Sequence, residues 1–163
     1  MPLTPAERAA LIDNYAAGPA RLRAALARVP AEARQWRPAP GKWSVHEIVV
    51  HCADSETNAH MRIRYLMGSA PAYIHGYDQD AWAVTFDYHG HPLDLALATI
   101  DAVRANTVPL LRRMPDAAWA ATGTHSELAS PYTAEVWLKG YSEHLDIHVR
   151  GIERNLAAWA AKG

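Results

Sequence analysis

TAEVWLKGYSEHLDIHVRGIERNLAAWA, Thr133 to Ala160, is the stretch whose reading decides the fold. Trp137, Tyr141, Leu145, Ile152, Leu156 and Trp159 recur so that, at about 100° per residue, they fall on one face of a helix. His144 and His148 lie along one edge of that face, four residues apart. Positions i and i+4 of a helix are neighbours about 6 Å apart at Cβ, so two imidazoles there can grip one metal ion. A helix this long with a single apolar face needs partners, and the rest of the chain supplies them.

Upstream, Ser44 with Glu47 three residues later forms a capping box and starts a second helix. Its stripe is Val45, Ile48, Val49, Cys52, Ala59, Ile63 and Leu66, and Gly68 ends it. His51 lies about 60° outside the nearest edge of that stripe, on the flank. Another helix runs from about Pro5 to Val29, with Thr4 as N-cap, Pro5 at the first helical position and Glu7 closing a capping box. Leu11, Tyr15, Leu22, Leu26 and Val29 form its stripe, and Gly18-Pro19 is a candidate kink. A further helix covers about Leu93 to Met114 on Leu93, Leu97, Ile100, Leu111 and Met114, with Pro109 as a candidate bend. Pro30 to Lys42 reads as a connector and Pro115 to Pro131 as an irregular stretch. The long connection from Gly68 to Pro92 holds a short helix over Asp78 to Val84, capped by Asp78. These segments predict an all-α four-helix bundle, up-and-down or crossover, with a long, partly helical loop between helices 2 and 3.

The chain has 163 residues, which fits a single domain over residues 1–163. Six Trp and seven Tyr against one Phe, set among many alanines, agree with helices held by scattered bulky anchors. Formal net charge is −1, from 16 basic and 17 acidic residues without long runs, so no basic face for nucleic acid is expected. Cys52 is the only cysteine, which excludes an intrachain disulfide and a thiolate cluster. No apolar signal-peptide core opens the sequence and no stretch is long enough to span a bilayer, so a cytoplasmic protein that does not enter membranes is expected.

Three imidazoles, His51, His144 and His148, would form a facial set that leaves coordination positions open, as catalytic metal sites do. Imidazole suits Zn, Ni, Cu or Fe(II), and the ion would lower the pKa of a bound water or thiol. Taken singly, each residue is weaker evidence: a lone HxxxH pair is weakly specific, and a flank histidine is more often simply hydrogen-bonded. Their joint placement at stripe edges on two helices raises the metal reading. Asp54, one turn after His51, either orients an imidazole or makes a helix salt bridge. Cys52 points into its stripe and reads as packing. Glu143 and Asp146 read as solvated charges, His89 and His91 as loop residues. Tyr77, Asp78 and Trp82 either line a pocket or pack the long loop down. The catalytic residues proper stay unassigned.

WSVHEIVVHCADSE (Trp43 to Glu56), GYDQDAWA (Gly76 to Ala83) and EHLDIHVRGI (Glu143 to Ile152) together resemble the DinB/YfiT-like superfamily, over about residues 5 to 159. The resemblance places a ligand histidine of the second helix at His51 and the two of the last helix at His144 and His148. It implies a four-helix bundle with a nickel or zinc ion at one end. Relatives include S-transferases that use bacillithiol, mycothiol or glutathione, and a thiol-dependent isomerase. The implied function is transfer of a low-molecular-weight thiol such as bacillithiol onto a small electrophilic substrate. Two alternatives accompany it: a hydrolase using metal-bound hydroxide, and a non-catalytic, stress-related metal-binding module. A homodimer is also implied. Two positions depart from the pattern: Gly76 stands where proline is common, and Glu143 where a further histidine often precedes the HxxxH pair.

Overall fold

The structure is a computed structural model that describes residues 2–69 and 71–162. Four long helices make the bundle: α1 (Pro5–Ala27), α2 (Val45–Gly68), α4 (Leu93–Arg112) and α5 (Ala134–Ala160), with a short α3 (Gln79–Thr85) in the long connection. The expected caps are in place. Thr4 and Ser44 each accept from the backbone N–H three residues on while Glu7 and Glu47 close the reciprocal bond; Asp78 and Thr133 cap α3 and α5.

Packing settles the topology in favour of a crossover bundle. α1 and α2 each pack between α4 and α5, so α1 does not pair with α2 nor α4 with α5, while α2 and α4, consecutive long helices, are neighbours. Of the three connections, those from α1 to α2 and from α4 to α5 must therefore cross the bundle ends, while the one from α2 to α4 joins neighbours. They are also more structured than their composition suggests. β1 (Ala72–Ile74), from the connection between α2 and α4, runs parallel to β2 (Thr122–His125), which pairs antiparallel with β3 (Leu128–Thr133). The stretch Pro115 to Pro131, read from sequence as irregular, thus contains a short 3-10 helix (Asp116–Ala120) and most of a hairpin. Strands of this length carry too little alternation to announce themselves.

Gly18-Pro19 does not break α1, which runs through both. The pair instead receives a side chain from α4. Pro19 has no N–H for the carbonyl of Tyr15 four residues back, and Arg104 Nη1 donates to that carbonyl. A Cβ on Gly18 would overlap Arg104 Nη1 and sit 3.1 Å from Leu145 Cδ1. Gly18→Ala is therefore expected to destabilise the fold by about 1–2 kcal/mol, against the roughly 1 kcal/mol that Gly to Ala normally adds in a helix. Urea unfolding checks the sign; a stabilised variant would mean that Arg104 does not occupy this slot.

Candidate metal centre

His51 is carried by α2, two turns beyond the Ser44 cap, and His144 and His148 by α5, which packs against α2. The three meet where the polar edges of the two stripes face each other. Their ring centroids lie 4.6, 4.8 and 5.7 Å apart, and one ligand atom from each falls within 4.8 Å of the others. The Nε2 atoms of His144 and His148 are 3.2 Å apart. Two imidazoles on one ion at bond lengths of about 2.0–2.1 Å have nitrogens roughly 2.9–3.4 Å apart, so the spacing suits shared ligation. His51 is 3% exposed and its Nδ1 is buried with no hydrogen-bond partner. Burial, then the other imidazoles, pushes His51 down to about 3. Burial and then His144 push His148 to about 3 as well. Both rings are neutral at physiological pH, so each keeps one ring nitrogen unprotonated. A buried orphan nitrogen, neutral rings and converging donors fit a divalent cation.

A carboxylate orients one of these rings, and it is Glu56. Its Oε1 lies 3.2 Å from His144 Nδ1, so Nδ1 carries the proton and the Nε2 lone pair faces the other histidines. Glu56 is fully buried and pairs with Arg104 through Nε at 2.9 Å and Nη2 at 2.6 Å. Burial pushes its carboxyl up, but the bond from His144 and the Arg104 guanidinium outweigh it and hold the group below the usual range. The other candidate, Asp54, accepts instead from the Tyr88 hydroxyl at 2.5 Å.

Ser55 Oγ lies 3.3 Å from His144 Nε2, which strings Ser55, His144 and Glu56 in the order of a nucleophile, base and orienting acid. One nitrogen cannot serve both a serine and an ion. The approach of His148 Nε2 to the same atom favours ligation. Ser55→Ala is expected to leave metal content unchanged by elemental analysis, and loss of metal in that variant would make Ser55 part of the binding set.

The histidines open onto a cavity of about 570 Å³. Tyr77, Asp78 and Gln79 line it from the long loop, and Arg62, Ser55 and Glu127 complete it. Trp82 packs against Tyr77 at 4.3 Å between ring centroids, so the loop both lines the pocket and braces itself. Arg62 donates to the Tyr141 hydroxyl at 2.9 Å and the His75 carbonyl at 2.6 Å. Burial raises the Tyr77 phenol to about 12, so it remains a donor. Glu127 reaches the cavity because residue 76 is glycine: a Cβ there would overlap its carboxyl, and the Gly76 N–H donates to Ser126 Oγ at 2.7 Å. A proline at 76 would forfeit both features. Cys52 is buried and its thiol pushed up by burial, as packing requires. Asp146 pairs with Arg21 at 2.6 Å and so is not merely solvated. His89 and His91 belong to a separate loop cluster, where Ser44 Oγ lies 2.8 Å from His89 Nε2 and His46 Nε2 2.8 Å from the His91 carbonyl.

Four-helix packing with three imidazoles and an orienting carboxylate at the α2–α5 junction defines a candidate metalloprotein of the bundle class. Residues 14–152 match the DinB superfamily, and the chain belongs to it. A protein of Oceanobacillus iheyensis is 31% identical over 90 residues, covering 55% of this chain and 52% of the relative, so the chain aligns to about half of that relative's length. One from Bacillus pumilus is 30% identical over 119 residues, 71% of this chain and 67% of the relative. Both relatives are named as candidate metal-dependent hydrolases. The solved structure of YfiT from Bacillus subtilis, described as an unusual four-helix bundle topology, superposes with a TM-score of 0.88 at 23% identity, covering 94% of this chain and 88% of that one. The fold is thus the YfiT four-helix bundle. Among the described residues no helix is long and apolar enough to cross a membrane.

Proposed function

We propose that the protein is a metal-dependent enzyme in which His51, His144 and His148 hold a divalent cation, nickel or zinc, and a low-molecular-weight thiol is transferred to a small electrophile. The observation that carries the reading is the convergence of three imidazoles on a polar cavity whose lining, among the described residues, contains no thiol. A divalent ion held there supplies Lewis acidity, which lowers the pKa of a thiol or water placed in the cavity.

The chain's own residues then orient the reactants. Glu56 keeps the proton on His144 Nδ1. Arg62 offers a cation to a carboxylate, and Asp78 and Glu127 offer carboxylates to an amine, which suits a small thiol bearing both groups. In the transfer, a sulfur–carbon bond forms as the bond from that carbon to its leaving group breaks. The leaving group keeps the bonding pair, and the thiol proton passes to solvent through Asp78 or Glu127.

Hydrolysis is the second reading, supported by the names of the relatives. Water replaces the thiol as nucleophile, and Glu127 or Asp78 accepts its proton. Metal-loaded protein is expected to conjugate monochlorobimane in the presence of a small thiol, releasing chloride, with no turnover when thiol or metal is omitted. Ester turnover without thiol would replace this reading with the hydrolase. No turnover in either assay, with metal bound, would leave a metal-binding module. Nothing in the reading needs a nucleic acid or membrane partner. Whether the chain works as a homodimer is checked by light scattering.

A further inference from the structure

A second cavity, of about 580 Å³, lies on the other side of His148, and His148 and Gln79 line both. Its apolar wall is Trp43, Ile48 and Ile147, with Gly151 on the same α5 surface. The rim carries Lys42 and Arg154 against one carboxylate, Asp80. Neither cation forms an ion pair with a carboxylate among the described residues.

Two features tie this cavity to the metal centre. The Trp43 ring sits 4.7 Å from the His51 ring, so whatever lies on Trp43 lies one side chain from a candidate ligand. Asn155 Nδ2 donates to the Trp43 carbonyl at 2.8 Å, which fixes the tryptophan segment to α5. The cavity also depends on the absence of a side chain. A Cβ on Gly151 would make ordinary contacts, 3.5 Å from Ile48 Cδ1 and 3.8 Å from Arg154 Nη2, so alanine fits while a longer side chain must project into the space.

We propose that this cavity binds the second substrate, a small electrophile with an aromatic or branched apolar body and one anionic group. The body lies on Trp43, Ile48 and Ile147, the anion faces Lys42 and Arg154, and the reactive end reaches past Gln79 to His148. An apolar wall with an excess of one positive charge at its rim is the complement of such an acid. The assignment rests on the transfer reading in calling the ligand a second substrate; the binding site itself rests on the cavity.

The test is a titration of the full chain, metal-free and zinc-loaded, with 3-phenylpropionate and with the neutral 3-phenylpropionamide, followed by the Trp43 indole N–H resonance. Saturable shifts with the acid are expected, with the amide about tenfold or more weaker. Gly151→Met should weaken acid binding at least about tenfold by filling the cavity, while Gly151→Ala binds as wild type. Lys42→Gln with Arg154→Gln, both on exposed side chains, should abolish the preference for acid over amide. Equal binding of acid and amide, or no loss of acid preference in the double variant, would overturn the proposal. Acid-selective binding at Trp43 without conjugation activity would overturn the transfer reaction and leave the site standing.

Discussion

Arg104→Met is expected to destabilise the fold by about 3–5 kcal/mol, the usual cost of leaving one partner of a buried ion pair alone. Arg104 is 1% exposed and Glu56 fully buried, so neither can turn to water. The guanidinium also donates to the Tyr141 carbonyl at 3.1 Å and to the Tyr15 carbonyl, and lies 3.9 Å from the Tyr15 ring centroid. One side chain from α4 therefore ties α1, α2 and α5 together at the level of the three histidines. Methionine fills much of the volume and supplies none of those donors. The double variant Arg104→Met with Glu56→Leu should be less destabilised than Arg104→Met alone, because it removes the orphaned charge as well. Urea unfolding of both variants decides this. A single-variant loss under about 1 kcal/mol would show that the pair is hydrated in solution.

His144→Ala is expected to weaken divalent-metal binding by more than about 100-fold, beyond the 10- to 100-fold typical of losing only an orienting partner. His144 stands between the orienting carboxylate and the other imidazole of α5: its Nδ1 faces Glu56 and its Nε2 faces His148 Nε2. The change trims a half-buried side chain at a helix edge, so the helical circular dichroism should persist. Zinc titration against a competing chelator reads the affinity. Wild-type affinity in a folded His144→Ala would remove that histidine from the ligand set. Thiol conjugation, if present, should fall in parallel.

Much of this architecture could be read from helical phase. The stripes of the long helices, their caps, the short helix after Asp78 and the edge positions of His51, His144 and His148 all follow from spacing and capping chemistry, which are local. What escaped depends on tertiary contact. The small sheet pairs strands some fifty residues apart, Ala72 with Gly123, and neither strand is long enough to show alternation. Gly18-Pro19 has the composition of a kink, and only the arrival of Arg104 from α4 shows that it is also a socket.

Glu56 had a signal that could have been used. It sits four residues after Cys52 and three before Ala59, inside the apolar stripe of α2, where an unpaired carboxylate would be costly. Arg104 lies four residues after Ile100 and seven before Leu111, equally inside the stripe of α4. Two opposite charges embedded in apolar faces are best explained by each other. Asp54 is close to His51 in sequence, but its carboxylate is taken by the Tyr88 hydroxyl, a contact from outside α2. The cavity residues Arg62 and Glu127 carry no such mark. Glu127 depends on a hairpin turn and on the missing side chain of Gly76, so its place at the site is set by the fold alone.

Metal content tests the central claim most directly. Wild-type protein, His51→Ala, His144→Ala and His148→Ala would be incubated with excess zinc or nickel, desalted and analysed for metal and protein together. The account predicts about one ion per wild-type chain and under about a tenth of that in each folded histidine variant. Metal retained at the wild-type level in His148→Ala, or none bound by the wild type, would contradict a three-histidine centre.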